Sequence, residues 1–133
     1  MTKKASWGIL GMGVMGTSLS RNLAQKGLSL ALYNRCLKGE EEGVAAERCQ
    51  TYPELERAQP FEELAAFLGA LESPRKILVM VPSGPAIESV LEQLLTLLAP
   101  GDILIDGGNS HFEATEKRDE RFTAAGISFL GMG

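Results

Sequence analysis

Only two cysteines, Cys36 and Cys49, and one histidine, His111, occur in the chain. Two thiols build no disulfide framework and read as reduced cysteines of a cytoplasmic protein. Thirteen positions apart and with one distant histidine, they are a poor metal-ligand set, so no metal site is expected. Long hydrophobic runs are missing as well. The longest strongly apolar run, Ile77 to Val81, is far too short to span a bilayer. Lys3-Lys4 precedes an apolar stretch, but glycines interrupt it after Leu10, which excludes a signal peptide. There is no excess of positive charge. A net charge of −4 argues against a general nucleic-acid surface while leaving room for a local basic pocket. Internal repeats and low-complexity tracts are lacking. What remains is the composition of an ordinary soluble globular protein, 44% hydrophobic and 23% charged, in 133 residues that suffice for one domain with a core.

The informative stretch is Trp7 to Asn22. A short apolar run, Trp7 to Leu10, is followed at once by Gly11-Met12-Gly13-Val14-Met15-Gly16, after which the pattern turns helical. This is a strand, a glycine turn and a helix, with G-x-G-x-x-G across the turn. Gly11 permits the tight turn, Gly13 lets a pyrophosphate approach the backbone, and Gly16 lets the helix pack closely on the strand. The N–H groups and positive end of that helix then face the phosphates. The motif by itself is weak, since glycine is frequent here; its place between a strand and a helix strengthens it.

Alternation continues along the chain. Strands are expected at Ala5–Leu10, Leu28–Tyr33, Lys76–Val81, Asp102–Ile105 and Ile127–Leu130, with Ala58-Gln59 a very short candidate. Leu28–Tyr33 is apolar enough to be buried on both faces. Helices are expected at Val14–Lys26, with Val14, Met15, Leu19, Leu23 and Ala24 at helical spacing, and at Glu40 to about Leu55, interrupted by Pro53. Further helices are expected from Phe61 to about Leu71, started by Pro60, and at Ala86–Leu98 and Phe112–Ala125. The fold class is therefore α/β: a Rossmann-type doubly wound parallel sheet in three α/β/α layers, with strand order 3-2-1-4-5-6. Ligand then belongs at the carboxyl ends of the strands, where the order reverses. The loops at that edge are Gly11–Gly16, Asn34–Cys36, Val81–Gly84 and Asp106–Ser110.

The second strand names the dinucleotide. A carboxylate there binds the ribose hydroxyls of NAD. This chain has Asn34 and Arg35 instead. A guanidinium pairs with a 2′-phosphate that a carboxylate would repel, so NADP is expected over NAD, with Lys38 a candidate second cation. Glu40-Glu41-Glu42 would oppose this if they faced the pocket; they read as the first turn of a helix, where the dipole favours them.

Three segments carry a resemblance: GMGVMG with YNR at Tyr33–Arg35, the run from Leu94 to Arg118 containing Asp106-Gly107-Gly108-Asn109-Ser110, and GISFLGMG from Gly126 to Gly133. The chain resembles the N-terminal cofactor-binding domain of decarboxylating 6-phosphogluconate dehydrogenase over nearly its whole length, most weakly from Glu40 to Pro74. The resemblance implies an NADP-dependent oxidoreductase of the pentose phosphate pathway, which oxidises and decarboxylates 6-phosphogluconate to ribulose 5-phosphate. It also implies a homodimer in the full-length protein. It implies that Gly11, Met12, Gly13, Val14, Met15 and Gly16 hold the pyrophosphate. Asn34, Arg35 and Cys36 would surround the 2′-phosphate. Val81, Pro82 and Ser83 would line the cleft, and Asn109 would touch both nicotinamide region and substrate. Cys36 stands where a Thr or Ser is common in that family, and Pro82 where a Lys is common.

The family's substrate-touching Val-Ser-Gly-Gly segment, its catalytic Lys and Glu, and its helical dimerisation domain do not follow Gly133. The chain is therefore read as the cofactor half, residues 1–133, with no catalytic residue of its own. His111 reads as a solvated loop residue rather than a proton carrier, and Asp106 as a structural cap of the glycine loop. Two alternatives remain: the cofactor domain of a 3-hydroxyisobutyrate-type β-hydroxyacid dehydrogenase, against which the Asp106–Ser110 loop speaks, and a non-catalytic NADP-binding module.

Overall fold

Strand-like runs that alternate with helical ones can bury both faces of a sheet only if each crossover helix returns over it, which makes neighbouring strands parallel. The computed structural model describes residues 4–36, 38–81, 85–107 and 120–131, and its sheet is built this way. In chain order it comprises β1 (Trp7–Leu10), α1 (Val14–Gln25), β2 (Leu30–Tyr33), α2 (Val44–Thr51), a 3-10 turn at Pro53–Leu55 and β3 (Gln59–Phe61). There follow α3 (Leu64–Gly69), β4 (Lys76–Val79), α4 (Pro85–Leu97), β5 (Ile103–Asp106) and β6 (Ser128–Gly131). The strand order is β3-β2-β1-β4-β5-β6, with every pair parallel. The chain winds outward from β1 to β3, then crosses back to β4 and winds the other way.

Successive side chains of a strand point to opposite faces. Leu10, Ala31, Tyr33, Ile77, Val79, Leu104 and Phe129 pack on one side with Leu64, Phe67 and Leu68 of α3 and Val90, Leu91 and Leu94 of α4. Ile9, Leu30, Leu32 and Leu78 pack on the other side with Ala45 of α2, and Leu19 and Leu23 of α1 lie against them. All four residues of β2 are buried, as expected for a strand covered on both faces.

The structure revises four expectations. The helix anticipated from Glu40 starts only at Val44. Gly43, at φ 59°, caps it in a left-handed conformation, so the helix does not run back into Glu40-Glu41-Glu42. Pro60 lies inside β3, paired with Leu32, rather than at a helix start. Proline lacks an N–H, and it is accommodated because β3 is an edge strand with one neighbour. Helix α3 begins at Leu64 instead. Val14 and Met15 are 85% and 69% exposed, so they do not face the sheet. The buried positions of α1 are Gly16, Thr17 and Ser20, because the helix starts too close to β1 for anything bulkier. Of the helix expected at Phe112–Ala125, residues 112–119 lie outside the described residues, and 120–124 are helical.

Candidate functional site

The carboxyl ends of the strands lie in one row. Tyr33, Leu10, Val79, Asp106 and Gly131 are register partners across the sheet. The loops that leave this edge include the glycine turn after β1, residues 34–36 after β2, Met80-Val81 after β4 and Gly107 after β5. The order reverses between β1, whose helix returns to β2, and β4. That reversal is the place where open α/β sheets bind their ligands.

The three motif glycines do different work. Gly11 has φ 104°, and a Cβ on it would stand 3.0 Å from the Met80 backbone and 3.2 Å from a Val81 methyl. Gly16 is tighter still: its Cβ would fall 1.8 Å from the Gly11 carbonyl oxygen. Both are demanded by the packing of the turn on its own strand. Gly13 is the opposite case. Nothing lies within 4 Å of where its Cβ would stand, and its φ of −72° suits any residue. Packing gives no reason for glycine there; an open backbone is what remains. Gly13 also caps α1 without a side-chain hydrogen bond, and no acidic residue occupies the first turn. That helix end thus keeps its positive character.

Asn34 ties the second loop to the first. It is buried, its Oδ1 accepts the Met12 N–H at 2.9 Å, and its own N–H reaches the Phe61 carbonyl at 3.1 Å. Its Nδ2 donates to the Arg35 carbonyl and to Glu41 Oε1, both at 3.0 Å. Met12 contributes its backbone to this bond and its side chain to the core, where it is fully buried. Thr17 continues the brace: its hydroxyl donates to the Met12 carbonyl at 3.0 Å and accepts from Arg48 Nε at 3.2 Å.

Arg35 is half exposed beside this bracket, and its Nε donates to Glu41 Oε2 at 2.7 Å. Hydrogen bonds from Asn34, then from Arg35, hold the Glu41 carboxyl below its ordinary range. Glu41 therefore turns onto Asn34 and Arg35, which the expectation of a helical turn had denied. Composition around residues 40–42 signals acid but not direction; direction comes from Gly39 and Gly43, both at positive φ, which turn the segment back toward β2. Cys36 is exposed. Desolvation raises its pKa, and the Glu62 carboxylate, which is also hydrogen bonded to it, and Glu42 raise it further, so the thiol stays protonated at neutral pH. Glu62 is anchored by the Gly43 N–H at 2.8 Å. Lys38 is exposed.

Val81 is half-buried over Gly11 and packs against the core under α3 and α4. Asp106 is buried at the end of β5. Pro82, Ser83, Asn109 and His111 lie outside the described residues. The structure thus brings together Gly11 to Gly16, Asn34, Arg35, Cys36 and Val81. It adds Glu62 and the Thr17–Arg48 brace, which the sequence did not single out, and it sets Glu41, expected in a helical turn, on Asn34 and Arg35.

The geometry of this edge suits a nucleotide. The family model described as the NAD binding domain of 6-phosphogluconate dehydrogenase matches residues 6–133. The decarboxylating 6-phosphogluconate dehydrogenase of Bacillus licheniformis is 41% identical over 126 residues, which are 95% of this chain and 26% of that protein. The NAD(+)-dependent decarboxylating enzyme of Bacillus subtilis (strain 168) is 39% identical over 128 residues, 96% of this chain and 26% of that protein. Among solved structures, the 6-phosphogluconate dehydrogenase of Plasmodium falciparum, described as apo, with NADP+ and with 6-phosphogluconate, superposes with a TM-score of 0.82 at 26% identity. The match covers 95% of this chain and 27% of that one. The chain spans about a quarter of the length of these curated relatives. With its glycine turn, its strand order and its match from residue 6 to residue 133, it belongs to the family of NAD-binding domains of 6-phosphogluconate dehydrogenase.

Proposed function

We propose that this chain is the NADP-binding part of a decarboxylating 6-phosphogluconate dehydrogenase. The observation that carries the reading is the open backbone at Gly13, joined through the Met12–Asn34 hydrogen bond to a half-exposed guanidinium at Arg35. In this reading the backbone from Gly11 to Gly16 holds the pyrophosphate, with Gly13 as the point of closest approach. Val14 and Met15 contribute N–H groups of the first helical turn, and their exposed side chains flank the entry. Arg35 pairs with the 2′-phosphate, aided by Cys36 through its backbone. Asn34 holds the two loops at a fixed spacing. By the family resemblance, Val81, Pro82 and Ser83 are assigned to the cofactor cleft, and Asn109 to both the nicotinamide region and the substrate. The bound nicotinamide supplies hydride acceptance; this chain's residues bind and orient it and keep its charge compensated.

Turnover belongs to the full-length protein. There, 6-phosphogluconate is oxidised and decarboxylated to ribulose 5-phosphate with residues of a helical domain that also forms the homodimer, in the cytoplasm. The support is the family membership and the NADP+ and 6-phosphogluconate named for the Plasmodium falciparum structure. One relative is NAD(+)-dependent, so the choice of dinucleotide rests on Arg35.

Isothermal titration of this chain with NADP+ and NAD+ tests the reading. NADP+ is expected to bind at least about tenfold tighter, the yield of one good charge-assisted phosphate contact. Equal affinities refute the role of Arg35, and binding of neither refutes the cofactor reading. For the full-length enzyme, NADPH formation with 6-phosphogluconate and not with 3-hydroxyisobutyrate is the expected outcome.

A further inference from the structure

The donors assigned above to the 2′-phosphate region already hold an anion that belongs to the chain itself. Glu41 accepts from Asn34 Nδ2 with one oxygen and from Arg35 Nε with the other, at 3.0 and 2.7 Å. A carboxylate spanning an amide and a guanidinium presents the charge and acceptors that a phosphate monoester would bring to the same place. Two anions on one guanidinium repel, so the nucleotide's phosphate and the Glu41 carboxylate compete.

We propose that Glu41 sets cofactor selectivity: it occupies the 2′-phosphate seat on Arg35 and has to swing out before a 2′-phosphorylated nucleotide binds, which lowers affinity for NADP and leaves NAD unaffected. The proposal rests on the reading of Arg35 as the phosphate partner. The surroundings suit a displaceable residue. Side-chain exposure is 48% for Arg35 and 34% for Glu41, so the departing carboxylate reaches water without crossing the core. Gly39 and Gly43 bracket the segment at φ 84° and 59°. The neighbouring Glu62 is held in place by the Gly43 N–H, so it is Glu41 that moves. The site is thereby less selective for NADP than Arg35 alone would make it.

The test is titration of wild type, Glu41→Gln and Glu41→Ala with NADP+, NAD+, adenosine 2′,5′-bisphosphate and 5′-AMP, with circular dichroism to verify folding. Both substitutions are expected to tighten NADP+ and the bisphosphate about three- to fivefold, the equivalent of one surface ion pair, and to leave NAD+ and 5′-AMP within about twofold. Unchanged or weakened NADP+ binding, or equal tightening of all four ligands, overturns the proposal. An Arg35→Ala control separates the two levels. If it binds NADP+ as wild type does, the phosphate reading falls and the proposal with it. If it loses the NADP+ preference while Glu41→Gln leaves that preference unchanged, only the proposal falls.

Discussion

Gly13→Ala and Gly16→Ala add the same methyl group three residues apart in one motif, yet the structure assigns them opposite consequences. At Gly16 the new carbon would sit 1.8 Å from the Gly11 carbonyl oxygen, an atom of backbone held by β1, and real Cβ atoms essentially never come within 3.0 Å of such a neighbour. Helix α1 would have to retreat by more than an ångström from a strand on which Leu19 and Leu23 depend. Overpacking that backbone cannot relieve costs at least about 3 kcal/mol, a large part of the roughly 5–15 kcal/mol that holds a domain together. At Gly13 nothing lies within 4 Å, and φ −72° is open to alanine. The loss of a glycine cap is offset by a less flexible unfolded chain, so stability should stay within about 0.5 kcal/mol of wild type. Cofactor affinity should nevertheless fall about tenfold or more, because the methyl occupies the surface the pyrophosphate needs. Urea unfolding and titration with NADP+ separate the two effects. A Gly13→Ala chain that keeps its affinity within twofold, or a Gly16→Ala chain as stable as wild type, refutes the division of labour between these glycines.

Asn34→Ala tests the bracket between the loops. It leaves the Met12 N–H without its acceptor in a buried place and removes the donor to Glu41, for about 2–3 kcal/mol and a melting temperature lower by about 10 °C in thermal denaturation. A change below about 0.5 kcal/mol shows that the bond does not hold the turn. Acid should weaken the fold. The carboxyls of Glu41, Glu54 and Glu92 lie below their ordinary 4.5, chiefly through hydrogen bonds from Asn34, Arg21 and Arg121 respectively. Their pKa values are lower folded than unfolded, so the unfolded chain takes up more protons. Their contribution is complete above 4.5 and is lost as pH falls below it. Urea midpoints measured toward about pH 3 should decline, and a midpoint that rises there contradicts the assignment.

Cofactor class and layer architecture were legible along the chain because they are written in local chemistry. Period-2 apolar runs, helical spacing and the glycine turn act over a few residues. Alternation of strand and helix then admits few parallel arrangements, so the order β3-β2-β1-β4-β5-β6 followed from rules of connection. The three motif glycines were equally visible, although only the packing around them distinguishes Gly16, closed by backbone, from Gly13, with nothing within 4 Å. Three features belonged to the tertiary structure. Pro60 suits a helix start and an edge strand equally, and its pairing with Leu32 decided between them. Val14 and Met15 stand at helical spacing yet face outward, since the approach of α1 to β1 reserves the inner positions for Gly16, Thr17 and Ser20. The turn of Glu41 onto Asn34 and Arg35 depends on two left-handed glycines and on a partner across the loop. Charge is a property of a residue, whereas what that charge neutralises depends on distance in the folded chain.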